Sequence, residues 1–148
     1  MIVPMAEQQN YANHVRQVPA FLTLAAVLLM TFIGAAVNLY MSWGDHERLY
    51  SAALILVLTG CLFASAGFAR TFALKAQDRA IRAEENFRHY VLTGKLLDSR
   101  LTVPQIAAVR FASDAEFPDL AKQAAESGME AKAIKLAVKN WRADWHRV

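Results

Sequence analysis

One cysteine, four prolines and six glycines are spread through 148 residues, and each scarcity excludes something. A lone thiol, Cys61, closes no intrachain disulfide and holds no metal by itself. Set between Gly60 and Leu62 in an apolar run, it reads as a small buried residue at a helix contact. The four histidines stand singly, and His14 has no second histidine or acid at ligand spacing. There is no glycine-rich phosphate loop, no H-E-x-x-H and no G-x-S-x-G. The carboxylates of the second half, Glu84, Glu85, Asp114, Glu116 and Asp119, interleave with Lys and Arg in the manner of a solvated surface. No enzyme, cofactor or metal centre is expected.

Charge is missing in two long stretches. Ala20 to Trp43 and Leu49 to Ala69 contain no Asp, Glu, Lys or Arg, and each meets the roughly 20 apolar residues that a bilayer core requires. The first is too long for a secretory signal's apolar stretch and follows a single basic residue, Arg16. The expected organisation is therefore an all-α membrane protein. An N-terminal cytoplasmic or interfacial segment (1–19) precedes a transmembrane hairpin (20–69), with helices at 20–43 and 46–69 around a loop at 44–48. Pro19 suits the first turn of the first helix. Met5 offers a second possible start. Of the 16 basic residues, Arg16 precedes the hairpin, Arg48 sits in its loop and 14 follow from Arg70 onward. Positive charge stays on the cytoplasmic side, so both termini are expected there. The net charge of +3 then faces an anionic leaflet, which explains it without nucleic acid.

The loop, "WGDHERLY", has a local reason for almost every residue. Gly44 suits the left-handed position beyond a helix end, Asp45 an N-cap, and Glu47 the first turn, where the helix dipole favours a negative charge. Tyr40, Trp43 and Tyr50 would flank it as an aromatic belt. The alternative is an acidic ring of Asp45 and Glu47 at the pore mouth of a homo-oligomeric cation channel. The stretch resembles the W-D-x-x-E entrance of mitochondrial calcium uniporters, but Gly44 interrupts the match.

Small residues supply candidate packing positions: Gly34 with Asn38 on the first helix, and Gly60, Ala64 and Gly67 on the second. No proline or glycine occurs between Arg70 and Thr93, so the second helix should continue as a cytoplasmic extension over 70–93. There Ala73, Ala76, Ala80, Ala83, Phe87 and Tyr90 follow the three-and-four spacing of close helix packing. Residues 94–148 read as three short helices. Thr102 with Gln105 and Ser113 with Glu116 form capping boxes ahead of the first two, and Gly128 ends the second. The last, "EAKAIKLAVKNWRADWHRV", places Ile134, Val138, Trp141 and Trp145 on one face. Three such helices make a thin core that needs support from the extension.

The strings "QQNYANH", "RFASDAEFP" and "IKLAVKNWRADWHRV" resemble an uncharacterised family of short bacterial inner-membrane proteins with two spans and a helical C-terminal part. The resemblance runs from Met5 onward, leaves Met1 to Pro4 as a leader, and implies fold and location only. The expected function is a non-enzymatic scaffold or accessory subunit in the bacterial inner membrane, partnered by the lipid bilayer and by further copies of itself or a larger membrane complex.

Overall fold

The computed structural model describes residues 8–15 and 17–144. Met5, Arg16 and Trp145, used in the sequence reading, lie outside them. Five helices follow in order: α1 (Pro19–Met41), α2 (His46–Thr93), α3 (Val103–Val109), α4 (Phe117–Ser127) and α5 (Ala131–Ala137). The chain divides into two compact units, residues 17–74 and residues 1–16 with 75–148.

In the first unit α1 pairs with the early part of α2. Phe21, Ala25, Leu28, Ala35 and Leu39 are its buried or half-buried positions on α1, and on α2 Leu49, Ala52, Leu56, Thr59, Ala66 and Arg70 are, with Ala53 and Gly60 beside them. With Phe32 and Phe63 added, both rows advance in alternating steps of three and four, the seam of left-handed helix pairing. Arg70 lies over the Phe21 ring at 5.5 Å. The remaining faces carry large apolar side chains left exposed, among them Met30, Val37, Val57 and Leu58. Hydroxyls in these helices turn inward on their own backbone: Thr23, Thr31, Thr59 and Thr71 each donate to a carbonyl four residues earlier. That removes the cost of a free hydroxyl in an apolar environment.

The expected end of α1 at Trp43 is corrected to Met41. The Ser42 hydroxyl donates back to the Asn38 carbonyl and closes the helix. Gly44 then takes φ +96°, a conformation an L side chain resists. Asp45 starts α2: its Oδ1 accepts from the amides of Glu47 and Arg48, each at 3.2 Å.

The second unit has its own core. Phe111, Phe117, Ile134 and Val109 are fully enclosed, joined by Ile106, Leu120, Ala121 and Ala124. Full burial of a side chain such as Phe111 or Ile134 contributes about 1.5–3 kcal/mol. The box of Thr102 and Gln105 heads α3, Gln105 Oε1 accepting from the Thr102 amide at 2.8 Å. Gly128 closes α4 at φ +62°.

Two expectations fail here. Ser113 and Glu116 form no capping box: α4 begins at Phe117, Ser113 serves through its carbonyl, and its Oγ is buried without a hydrogen-bond partner among the described residues. The last helix does not run through the tail but stops at Ala137, where Val138 turns extended at ψ 120°. Longer-range bonds outcompete the helix. The Glu116 carboxylate accepts from the amides of Lys139 and Asn140 at 3.1–3.3 Å, and the Arg142 amide donates to the Phe111 carbonyl at 2.7 Å. An antiparallel bridge links Ala112 to Trp141. Ile134 and Val138 are still buried and Trp141 packs against the core, so these three positions of the predicted face keep their role on a different backbone.

Candidate functional site

The second unit gathers its charge in one place. On α2, Ile81, Glu85 and Arg88 recur at steps of four and three, which puts all three on one helical face. Glu85 is only 5% exposed. Its Oε2 accepts from Arg88 Nη1 at 3.0 Å, and Arg142 Nη1 lies 3.6 Å from its Oε1. Arg88 spends its other donors on the Asp114 carboxylate, at 2.8 Å from Nε, and on the carbonyls of Ala112 and Arg110. Its guanidinium lies 4.3 Å from the Phe117 ring centroid. Arg110, also buried, pairs with Asp144 Oδ2 at 3.1 Å. Three arginines and three carboxylates thus interlock beside a cavity of about 370 Å³ lined by Gln77, Ile81, Glu84, Glu85, Arg142 and Asp144 among others.

Burial raises the Glu85 carboxyl above its ordinary range, against the opposing pull of Arg88, Arg142 and Arg110. The same competition plays out differently at Glu116. Slight desolvation pushes that carboxyl up, the Asn140 and Lys139 donors outweigh it, and the group ends below the usual range.

A second cluster joins the N-terminal segment to the same unit. The His14 ring is buried between Tyr11, Phe111 and Trp141, at centroid separations of 5.5–5.8 Å. Its Nδ1 lies 2.6 Å from the Tyr11 carbonyl, which can only accept, so Nδ1 carries the proton and Nε2 accepts from Lys135 Nζ at 3.0 Å. Beside it, Gln9 pairs with the backbone of Asp144 in both directions: Oε1 accepts from the amide at 2.8 Å and Nε2 donates to the carbonyl at 3.3 Å.

Each carboxylate of the first cluster is matched by guanidinium, and His14 packs beside a lysine and aromatic rings. Among the described residues no group of three or more His, Cys, Asp and Glu is placed to hold a metal ion. These clusters hold segments together.

The residues singled out from the sequence lie elsewhere. Gly60 meets α1, since a Cβ there would stand 3.3 Å from the Phe32 ring. Gly34 and Gly67 face open space, and Asn38, Ala64, Ala73, Ala76, Ala80 and Ala83 are exposed. The small-residue stripe is therefore not the seam of the hairpin, apart from Gly60. Leu56 sits half-buried on that seam. Asp45 and Glu47 are exposed in the turn, Asp45 also pairing with Arg48 at 3.3 Å. Sequence reasoning missed Gln9, His14, Glu85, Arg88, Arg110 and Asp144. Only Glu85 and Arg88 carried a signal, their shared face with Ile81.

The chain belongs to a family of unknown function, DUF6526, whose profile matches residues 5–148. No curated protein and no solved structure matches it.

Proposed function

We propose that this is a two-span protein of the bacterial inner membrane, without enzymatic activity, that associates with itself or with a larger membrane complex as a scaffold or accessory subunit. The observation that carries the topology is the pairing of Gln9 and His14 with Asp144, Lys135, Phe111 and Trp141. It joins the segment before the first apolar helix to the part that follows the second. Segments bonded to each other share one side of a bilayer, so the chain between them crosses an even number of times. The concentration of basic residues in those segments selects the cytoplasmic side. The apolar faces of α1 and α2 support burial in lipid, and the bonding of distant segments to one another supports a holding role.

Cysteines introduced at His46 and Ser99 in a Cys61→Ser chain test the topology. An impermeant thiol reagent applied from outside is expected to reach position 46 and not position 99, and the opposite pattern overturns the reading. The competing channel reading places Asp45 and Glu47 at a pore mouth. Asp45, however, is already occupied by its own helix amides and by Arg48. In reconstituted vesicles, cation flux that is present in the wild type and disappears in Asp45→Asn would establish the channel and remove the scaffold.

A further inference from the structure

Between residues 75 and 93, one face of α2 is taken up within the chain and another, apolar one is not. Ile81, Glu85 and Arg88 turn toward the core of their own unit. Roughly opposite, at 100° per residue, Ala76, Ala83, Phe87 and Tyr90 are exposed, with Ala80, also exposed, at the edge of this face where it borders the cavity. Two of these are large: Phe87 and Tyr90 leave 69% and 54% of their surface open, and Val91 beside them is 65% open. Water-exposed aromatic side chains in a row along a helix lack a partner rather than a core.

We propose that this face pairs with the same face of a second copy of the chain, as a parallel, in-register helix dimer. The inference rests on the self-association reading above and names its surface. Charge identifies the occupant. With Ala80 and Phe87 at heptad position a, and Ala76, Ala83 and Tyr90 at d, Arg79 falls at g and Glu84 at the following e. In a parallel coiled coil the g residue of one helix meets the e residue five positions on in its partner, and such pairs select partner and orientation. Arg79 thus faces the partner copy's Glu84, and the two-fold axis makes the pair twice. Both residues are exposed, Glu84 at the rim of the cavity, and neither forms an ion pair within its own chain among the described residues. Two copies inserted in one membrane with one topology also present this helix in parallel, which an antiparallel pairing would forbid.

The test is oxidative cross-linking of the full-length protein in native membranes, in a Cys61→Ser background. Ala76→Cys and Ala83→Cys are expected to give a disulfide-linked band of two copies, with Arg82→Cys, off the seam, giving at least about fivefold less. Adding Glu84→Lys to the Ala83→Cys chain sets it against Arg79 and should cut the cross-linked fraction several-fold, and further adding Arg79→Glu should restore it. Equal cross-linking at 82 and 83, no restoration by the double reversal, or a band containing a chain of another mass each overturns the proposal. Native mass in mild detergent separates the two levels of inference. A mass of two or more copies without cross-links at 76 and 83 rejects this face and leaves self-association standing, whereas a single-copy mass rejects both.

Discussion

Phe111 is where the folding of the second unit can be tested most directly. The residue is fully buried. Its ring centroid lies 4.9 Å from that of Trp141 and 5.7 Å from that of His14, and Arg110 and Lys135 place their cations over it at 4.8 and 5.8 Å. Replacing it with leucine keeps a buried aliphatic side chain but loses these interactions. An aromatic pair contributes about 0.5–1.5 kcal/mol beyond area, and the imperfect filling of a phenylalanine site by leucine adds a cost of up to about 1.5 kcal/mol. Since the two ring contacts share one side chain, the sum should be near 2 kcal/mol, less than the roughly 3–5 kcal/mol of Phe111→Ala. Every 1.4 kcal/mol is a factor of ten, so amide exchange through opening of the unit should accelerate about 30-fold. Hydrogen exchange of the intact protein in lipid nanodiscs, read by mass spectrometry, should show that acceleration in α3, α4 and α5, with α1 unchanged. Acceleration below about threefold in α3 to α5, or an equal change in α1, would refute the reasoning.

Gly60→Ile should weaken the α1–α2 pairing, because its Cβ meets the Phe32 ring at 3.3 Å, whereas Gly67→Ile enters open space and should leave the hairpin intact; thermal unfolding in detergent ranks the two, and equal loss in both would refute the seam. Glu85 sets a pH dependence of definite sign. Burial holds its folded carboxyl above the ordinary value of about 4.5, so the folded state holds the proton longer than the unfolded state does. Its contribution to stability therefore declines as the pH rises from about 4.5 through the raised folded value. Comparing wild type with Glu85→Gln by unfolding across that window should show this component of the slope only in the wild type, and identical slopes would count against burial as the cause.

Much of the helical organisation was legible in the residues. An uncharged run needs no partner to declare itself, and the lack of glycine and proline from 70 to 93 predicts the continuous α2 that is observed. What escaped was everything decided at long range. The tail from Lys135 to Arg142 contains no glycine or proline to stop a helix, and Ile134, Val138 and Trp141 are spaced as well for a helix as for a chain that bends. The decision is made by Glu116, more than twenty residues upstream, whose carboxylate captures two amides that would otherwise serve the helix. His14 looked isolated for the same reason: Phe111, Lys135 and Trp141 lie about a hundred or more positions away in sequence. The charged residues of α2 looked uniformly solvated because alternation of sign says nothing about which face turns inward. Glu85 and Arg88 turn in, whereas Glu84 stays out. For the small-residue stripe, spacing identified a face that α2 leaves open, and the hairpin seam formed on another.

The pairing of Gln9 with Asp144 spans 135 positions, and that separation orders events during synthesis. Residues 8–15 leave the ribosome well before their partners at 111, 135, 141 and 144. At about 5–20 residues per second, translation keeps the two apart for on the order of ten seconds. Throughout that interval Tyr11 and His14 have none of the aromatic surface they finally rest on, and both apolar helices have already emerged. Closure of the second unit therefore waits on residues made more than a hundred positions after the segment it encloses.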